Sequence, residues 1–124
     1  MSTTLSYVRL YPDSVGDSHF EPVAIETFPH DFAPPAPSFN VSELAPASRY
    51  GFLCVPMGWI GDLHPSPLRM WIFLLSGEME FEASDGQRHH LIPGGAVLLE
   101  DTIGKGHRSK VMGSAAAVLA VVHL

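Results

Sequence analysis

Basic residues are scarce in this chain. Of its 124 residues only 7 are Lys or Arg, against 13 Asp or Glu, which gives a formal net charge of -6. Contacts to phosphate need clustered Lys and Arg side chains, so this balance argues against nucleic acid as a partner, and an anionic membrane surface is disfavoured for the same reason. We therefore expect neither kind of partner.

Cysteine is nearly absent. The single residue, Cys54, has no second thiol with which to form an intramolecular disulfide. Its surroundings, GFLCVP, are apolar and supply no positive charge that would activate a catalytic thiol. The sequence therefore predicts that Cys54 is a small buried hydrophobic residue.

Long apolar runs are also missing. The longest candidate, Ala115–Val122, is far shorter than the roughly 20 residues of a membrane-spanning helix. The opening segment, MSTTLSYVRLYPD, has neither a charged start nor an unbroken apolar centre, so we expect no signal peptide. These features favour a soluble cytoplasmic protein.

No segment shows convincing helical periodicity, and the sequence instead contains short segments with the pattern of strands. Glu78–Glu82 alternates strictly, with Met79 and Phe81 predicted to face inward and the glutamates outward. Ser84–Gln87 contains Asp-Gly, which tolerates the positive φ angles of a tight hairpin. Many short strands separated by Gly and Pro turns predict an all-β sandwich or barrel, and the further strands include Arg49–Val55, Met70–Leu75, Ala96–Leu99 and His107–Met112.

The chain is long enough for one domain with a real core and too short for two ordinary ones. Within it we predict an N-terminal arm with edge strands at residues 1–45 and a barrel at residues 46–124. His19–Phe28 contains Pro22 and is therefore expected at a sheet edge, because proline cannot donate to a strand ladder. Pro29–Pro37 has four prolines and predicts an extended connector.

Two stretches place a histidine beside a predicted strand. Gly58–Gly77, GWIGDLHPSPLRMWIFLLSG, is similar to the motif G-x5-H-x-H-x3/4-E-x6-G at both glycines and at His64. Gly104–His107, GKGH, is similar to part of G-x5-P-x-G-x2-H-x3-N. On these residues the chain resembles the cupin superfamily, which implies a single-domain double-stranded β-helix, or jelly-roll barrel.

The resemblance also implies where a metal would lie, and there the chain departs from the family. Metal-binding cupins use two histidines and a glutamate of the first motif together with the histidine of the second. In this sequence Ser66 replaces the second histidine and Met70 replaces the glutamate, which leaves His64 and His107. Metal centres with an open position usually have three protein ligands, and a thioether is a poor substitute for a carboxylate. We expect no cofactor.

An alternative retains a divalent metal ion such as Fe, Mn, Zn or Ni. In this alternative Glu100 or Asp101 completes a set of two histidines and one carboxylate with His64 and His107.

Without a metal, His64 and His107 are candidates for catalytic acid and base, because imidazole gains and loses protons near neutral pH. Asp101 and Glu100 come shortly before His107, near enough in sequence to orient its ring or raise its pKa, and Asp101 is the one we assign to the catalytic set. If one strand runs on from the loop, the residues that share its inner side are His64, Ser66, Met70, Ile72 and Leu74. The candidates for substrate binding are Trp59, Ser66, Arg69, Met70 and Ile72, and Arg69 and Lys105 could bind an anionic group at the mouth.

Three functions fit these residues. The first is a cofactor-independent isomerase, cyclase or lyase acting on an apolar, aromatic or polyketide-like, metabolite. The second is a non-catalytic protein that binds such a metabolite, and the third is a metal-dependent, oxygenase-like enzyme. The other histidines, namely His19, His30, His89, His90 and His123, are interpreted as structural or surface residues. We also expect a homodimer, formed through the outward side chains Trp71, Phe73 and Leu75.

Overall fold

The computed structural model describes residues 4–124. All of the regular structure in that range is β-strand. In chain order β1 to β12 are Leu5–Pro12, Ser18–Ile25, Thr27–His30, Phe39–Ser42, Arg49–Val55, Ile60–His64, Met70–Ser76, Glu78–Ala83, Arg88–Leu91, Ala96–Leu99, His107–Met112 and Ala117–His123.

Two sheets form the body of the molecule. One has six strands in the order β2-β1-β10-β7-β12-β5, and the other has four in the order β6-β11-β8-β9. Neighbouring strands are antiparallel, except that β1 and β10 run parallel, with Val8 opposite Val97. Because strands that are close in sequence lie in different sheets, the chain crosses repeatedly between the two layers.

The core lies between the sheets and follows the alternation of side chains along each strand. On β7, Met70, Ile72 and Leu74 are buried, and on β8, Met79 and Phe81 are each only 4% exposed. These side chains belong to one continuous apolar cluster with inward residues of β1, β9, β10, β11 and β12. The predicted all-β, single-domain jelly-roll fold is therefore confirmed.

Several local predictions are also confirmed. The strand predicted at Arg49–Val55 is β5 with the same bounds, and the Asp-Gly turn joins β8 to β9. Pro22 lies in β2, which is an edge strand of the six-stranded sheet, as expected for a residue without an N–H donor.

The extended connector predicted at Pro29–Pro37 is wrong. β3 runs through Pro29 to His30 and pairs with β4 in a separate two-stranded hairpin, with Phe28 opposite Val41. Proline is tolerated in a two-stranded ribbon because both of its strands are edges. The ribbon leaves Phe28, Phe32 and Phe39 more than half exposed.

The prediction that Cys54 is buried is also wrong, because its side chain is exposed. β5 is the other edge strand of the six-stranded sheet, and Leu53 and Val55 face the inside. Alternation therefore turns Cys54 to the outer face, together with Tyr50 and Phe52.

Nor does one strand run on from His64 to Ile72. β6 ends at His64 in the four-stranded sheet, residues 65–69 form a loop, and β7 begins at Met70 in the six-stranded sheet. The sequence Gly61-Asp62-Leu63-His64 has no clear alternation, so this strand was missed.

The division into an arm at residues 1–45 and a barrel at residues 46–124 stays a prediction. β1, which begins in that predicted arm, lies inside the six-stranded sheet between β2 and β10. Since residues 4–124 contain no helix, the described part of the chain has no helical segment able to cross a membrane.

Candidate functional site

His64 and His107 lie side by side. His64 is the last residue of β6 and His107 the first of β11, and the two are partners in the antiparallel register. Their ring centroids are 5.1 Å apart, with an angle of 48° between the ring planes. His107 is buried, at 3% exposure, whereas His64 is exposed. The site therefore has one histidine in the protein interior and one at its rim.

Gly106 makes this close approach possible. Its φ is +80°, a left-handed conformation that glycine adopts without strain, and a Cβ added there would collide with the backbone of His64 and Pro65. Ser18, which is fully buried, donates a hydrogen bond from Oγ to the Gly106 carbonyl at 2.7 Å. The start of β11 is thus held against the end of β6 from two sides. The glycine could have been found from the GKGH stretch, but no sequence signal pointed to Ser18.

Asp101 is the hydrogen-bond partner of His107. The distance from His107 Nδ1 to Asp101 Oδ2 is 2.6 Å, and the Asp101 carboxyl is completely buried. The backbone carbonyl of Asp101 also accepts a hydrogen bond from the Ser66 N–H at 2.9 Å. The structure therefore brings together three of the predicted site residues: His64, His107 and Asp101.

One oxygen of this buried carboxyl has no partner. Asp101 Oδ1 is inaccessible and accepts no hydrogen bond within residues 4–124. A buried, unpaired carboxyl oxygen is costly, so the carboxyl depends strongly on its single bond to His107. That bond fixes the imidazole and leaves its other nitrogen, Nε2, for the neighbouring cavity.

The cavity beside the two histidines has a volume of about 180 Å³ and lies between the two sheets. Trp59, Ser66, Met70 and Ile72, all predicted to bind substrate, line it. The hydroxyl of Ser66 donates to the carbonyl of Leu68 at 2.7 Å, so it is already engaged. Most of the remaining wall is apolar and was not predicted; it consists of Leu53, Val55, Pro67, Met79, Phe81, Leu99, Ser109 and Leu119.

Arg69 and Lys105 are not among the residues that line the cavity, and the idea that they receive an anionic group at its mouth stays a prediction. Arg69 Nε donates to Glu100 Oε2 at 2.7 Å, and Arg9 binds the other oxygen of Glu100. Lys105 Nζ donates to Asp17 Oδ1 at 2.8 Å. Both cations are therefore neutralised by carboxylates of the chain itself.

Glu100 is accordingly unable to join the histidines around a metal. Burial on its own would raise the pKa of this carboxyl, but the hydrogen bonds from Arg69 and Arg9 lower it overall. In residues 4–124 no group of three His, Cys, Asp or Glu side chains is arranged so that it could hold a metal ion. Glu100 therefore lies outside the site that contains His64 and His107, and the alternative metal set does not fit the structure.

His19, interpreted from sequence as a structural residue, lies in a separate cluster. Its Nε2 is 2.6 Å from Asp13 Oδ2 and its Nδ1 is 2.8 Å from Asp85 Oδ2. The hydrogen bond to Asp13 raises the pKa of His19 most, and the bond to Asp85 adds to it. This imidazole joins the β1–β2 turn to the β8–β9 turn and does not line the cavity.

Comparisons with known proteins give only distant similarities. No protein-family model matches the chain, and no curated protein matches it. One similar structure is the Schizosaccharomyces pombe Cnp3 cupin domain, at 17% identity and a TM-score of 0.49, covering 86% of this chain and 71% of that one. Another is a putative ethanolamine utilization protein Q from Salmonella typhimurium, at 15% identity and a TM-score of 0.38, covering 98% and 96%.

Proposed function

We propose that this chain, which has the fold of the cupin superfamily, binds a small apolar metabolite between its sheets and converts it without a cofactor. The proposed reaction is an isomerisation, cyclisation or elimination, with His64 and His107 as the acid and base. The observation that supports it best is the buried imidazole of His107, bonded at 2.6 Å to a fully buried carboxyl and lining an otherwise apolar cavity. Burying two such polar groups is expensive unless they serve a purpose.

Each histidine offers one nitrogen to a ligand. His107 has its Nδ1 bonded to Asp101, and residues 4–124 supply no hydrogen-bond partner for its Nε2. His64 donates from Nδ1 to the backbone carbonyl of Asp62 at 2.7 Å, so its Nε2 is also free. With the ring centroids 5.1 Å apart, one small molecule can contact both nitrogens. Asp101 does not touch the ligand and is a positioning residue.

The chemistry balances within the ligand and the two rings. His64 Nε2 takes a proton from one ligand atom, and protonated His107 Nε2 gives a proton to another, while the electron pair shifts through the ligand. Asp101 accepts the Nδ1–H of His107 and so holds the opposite nitrogen, Nε2, toward the ligand. Since one proton leaves and one arrives, no oxidant or reductant is needed. The exposed His64 then releases its proton to water, and His107 Nε2 takes up a proton from water that enters the emptied cavity, which restores the starting state.

Cyclohexanone in D2O is a suitable probe for this proposal, because exchange of its protons next to the carbonyl requires acid and base catalysis. We expect the protein to accelerate the exchange, measured by proton NMR. His64→Ala and His107→Ala should abolish the acceleration, whereas His30→Ala, which removes an exposed histidine of the β3–β4 hairpin, should preserve it. Equal exchange rates in all four proteins would refute acid and base roles for these histidines.

A second function, binding without turnover, is favoured by the exposure of His64. Catalytic proton transfer works best where water is excluded, and one of the two rings here is open to solvent. A pure binding protein should gain thermal stability with phenol or cyclohexanone and show no accelerated exchange. The exchange measurement therefore separates the two functions.

We also propose that two copies associate through the outer face of the six-stranded sheet. Tyr50 and Phe52 on β5 are 82% and 70% exposed, and on β7, with β12 between, Phe73 stacks on Trp71 with ring centroids 5.7 Å apart. Aromatic side chains bury roughly 150–250 Å² each when covered, so this face supplies much of the area of a specific interface. Light scattering should give the mass of a dimer, and Phe52→Glu should give a monomer. A wild-type monomer at micromolar concentration contradicts the proposal.

A further inference from the structure

We infer that the part of the ligand that enters the cavity is a single uncharged ring with one hydroxyl or carbonyl group. This inference rests on the proposed function and specifies its ligand class. It comes from three properties of the same cavity: its size, the pairing of the charges around it, and the position of its free hydrogen-bonding atoms.

The size of the cavity sets the first limit. A dry protein cavity of about 150 Å³ accommodates benzene. The cavity here has about 180 Å³, enough for one six-membered ring and one or two further heavy atoms. A ligand with two fused rings exceeds this volume, so its second ring would lie at the mouth beside the exposed His64.

The charges around the cavity set the second limit. The loop before β7 carries Arg69 and the turn before β11 carries Lys105, and both cations are bonded to carboxylates, as described above. Inside the cavity, a protonated His107 would already have the carboxylate of Asp101 as its counterion. An anionic ligand would therefore enter a mostly apolar cavity whose wall has no Lys or Arg side chain and offers only the imidazoles of His64 and His107. A cationic ligand would meet no carboxylate, since Asp101 does not line the wall. For either ion, the free-energy cost of leaving water would not be offset by an ion pair in the cavity.

The free polar atoms of the wall set the third limit. The Ser66 hydroxyl is engaged with Leu68, which leaves the Ser109 hydroxyl and the two imidazole Nε2 atoms, and the two imidazoles lie next to each other. The wall opposite them is built from Met70, Ile72 and Phe81. One polar substituent at one end of an apolar ring satisfies both parts of this surface.

Four probes test the inference at pH 7: phenol, cyclohexanone, benzoate and cyclohexylammonium. Dissociation constants can be measured by ligand-observed NMR. We expect phenol and cyclohexanone to bind at least tenfold more tightly than either ion. Benzoate or cyclohexylammonium binding as tightly as phenol would overturn the inference.

Matched variants show whether binding takes place in the cavity. Ser109→Leu fills part of it, because Ser109 lines the wall and is only 7% exposed, and it should weaken phenol binding at least tenfold. Ser76→Leu makes the same change at the exposed end of β7 and should leave binding unchanged. If Ser109→Leu does not fold, Met79→Ala enlarges the same cavity and should allow 2-naphthol to bind. If the dissociation constant of phenol is the same in the wild type and in the folded cavity variants, the inference is overturned.

The two proposals fail in different ways. If phenol binds in the cavity and both histidine variants exchange cyclohexanone protons as fast as the wild type, the catalytic proposal fails and the ligand class stands. If exchange depends on both histidines but benzoate binds as tightly as phenol, the ligand class fails and the catalytic proposal stands.

Discussion

Gly106 is the position at which a single methyl group should disturb the site most. It occupies a left-handed conformation directly against the backbone of His64 and Pro65. In Gly106→Ala the new Cβ cannot fit, because it would overlap the carbonyl carbon of His64, so the end of β6 has to retreat by about 1.5 Å to restore van der Waals contact. Since His64 is the last residue of β6 and His107 follows Gly106, the same retreat separates the two imidazoles.

Two costs add up in this variant. A non-glycine residue in the left-handed region destabilises the folded state by about 1–2 kcal/mol. Forcing an extra carbon into a packed site costs about 1–3 kcal/mol more. The free energy of unfolding should therefore fall by about 2–5 kcal/mol, which for a chain of this size lowers Tm by about 8–20 °C. Ligand binding should weaken as well, because the distance between the rings changes.

Gly113→Ala is the matched control. Gly113 has a φ of +75°, close to that of Gly106, but an added Cβ would meet nothing within 4 Å. In Gly113→Ala the free energy of unfolding should fall only by the conformational cost of about 1–2 kcal/mol. This variant should bind phenol as the wild type does. Urea denaturation and phenol titration of both variants give the comparison. If Gly106→Ala is no less stable than Gly113→Ala, the close packing of β11 on β6 is not what the structure indicates.

Three further predictions concern other groups. The pKa of His19 is raised, so its bond to Asp13 stabilises the fold fully below the ordinary pKa of about 6.5, and this stabilisation is lost as pH rises through the raised pKa. His19→Gln should therefore lower Tm more at pH 6 than at pH 9. An equal loss of Tm at both pH values would contradict this. Asp101→Asn keeps an acceptor for His107 but removes the charge, and should cost about 1–3 kcal/mol in urea denaturation, whereas unchanged stability would mean that the bond is unimportant. Cys54 is exposed on the face proposed to pair, so its reaction rate with a thiol reagent should fall as protein concentration rises; a rate independent of concentration would count against the dimer.

Much of the strand pattern could be predicted because a strand with one buried face shows it locally. Glu78–Glu82 alternates in its own sequence, and Met79 and Phe81 point inward as expected. The β3–β4 hairpin could not be predicted in this way. Its prolines favour extended backbone, but whether an extended segment finds a partner strand depends on residues elsewhere in the chain.

The site was predictable in part. The resemblance to the cupin motifs indicated His64 and His107, and Asp101 was added because it lies close to His107 in sequence; the structure places the three together. The sequence could not show whether Asp101 or its neighbour Glu100 contacts His107. The side chains of adjacent residues point to opposite sides at the end of a strand, and only the fold shows which side faces His107. Exposure of Cys54 likewise depends on which strands cover β5, and that is set by long-range pairing.

The parallel pairing of β1 with β10 has a consequence for synthesis on the ribosome. β1 is made early, yet one of its two neighbours in the sheet lies some ninety residues later, and β5 pairs only with β12. A nascent chain therefore leaves β1 without its β10 partner until residues 96–99 have left the exit tunnel, and leaves β5 unpaired until residues 117–123 have done so. Chaperones that shield unfinished β-sheets should consequently matter more for producing this protein than for a helical bundle of equal length.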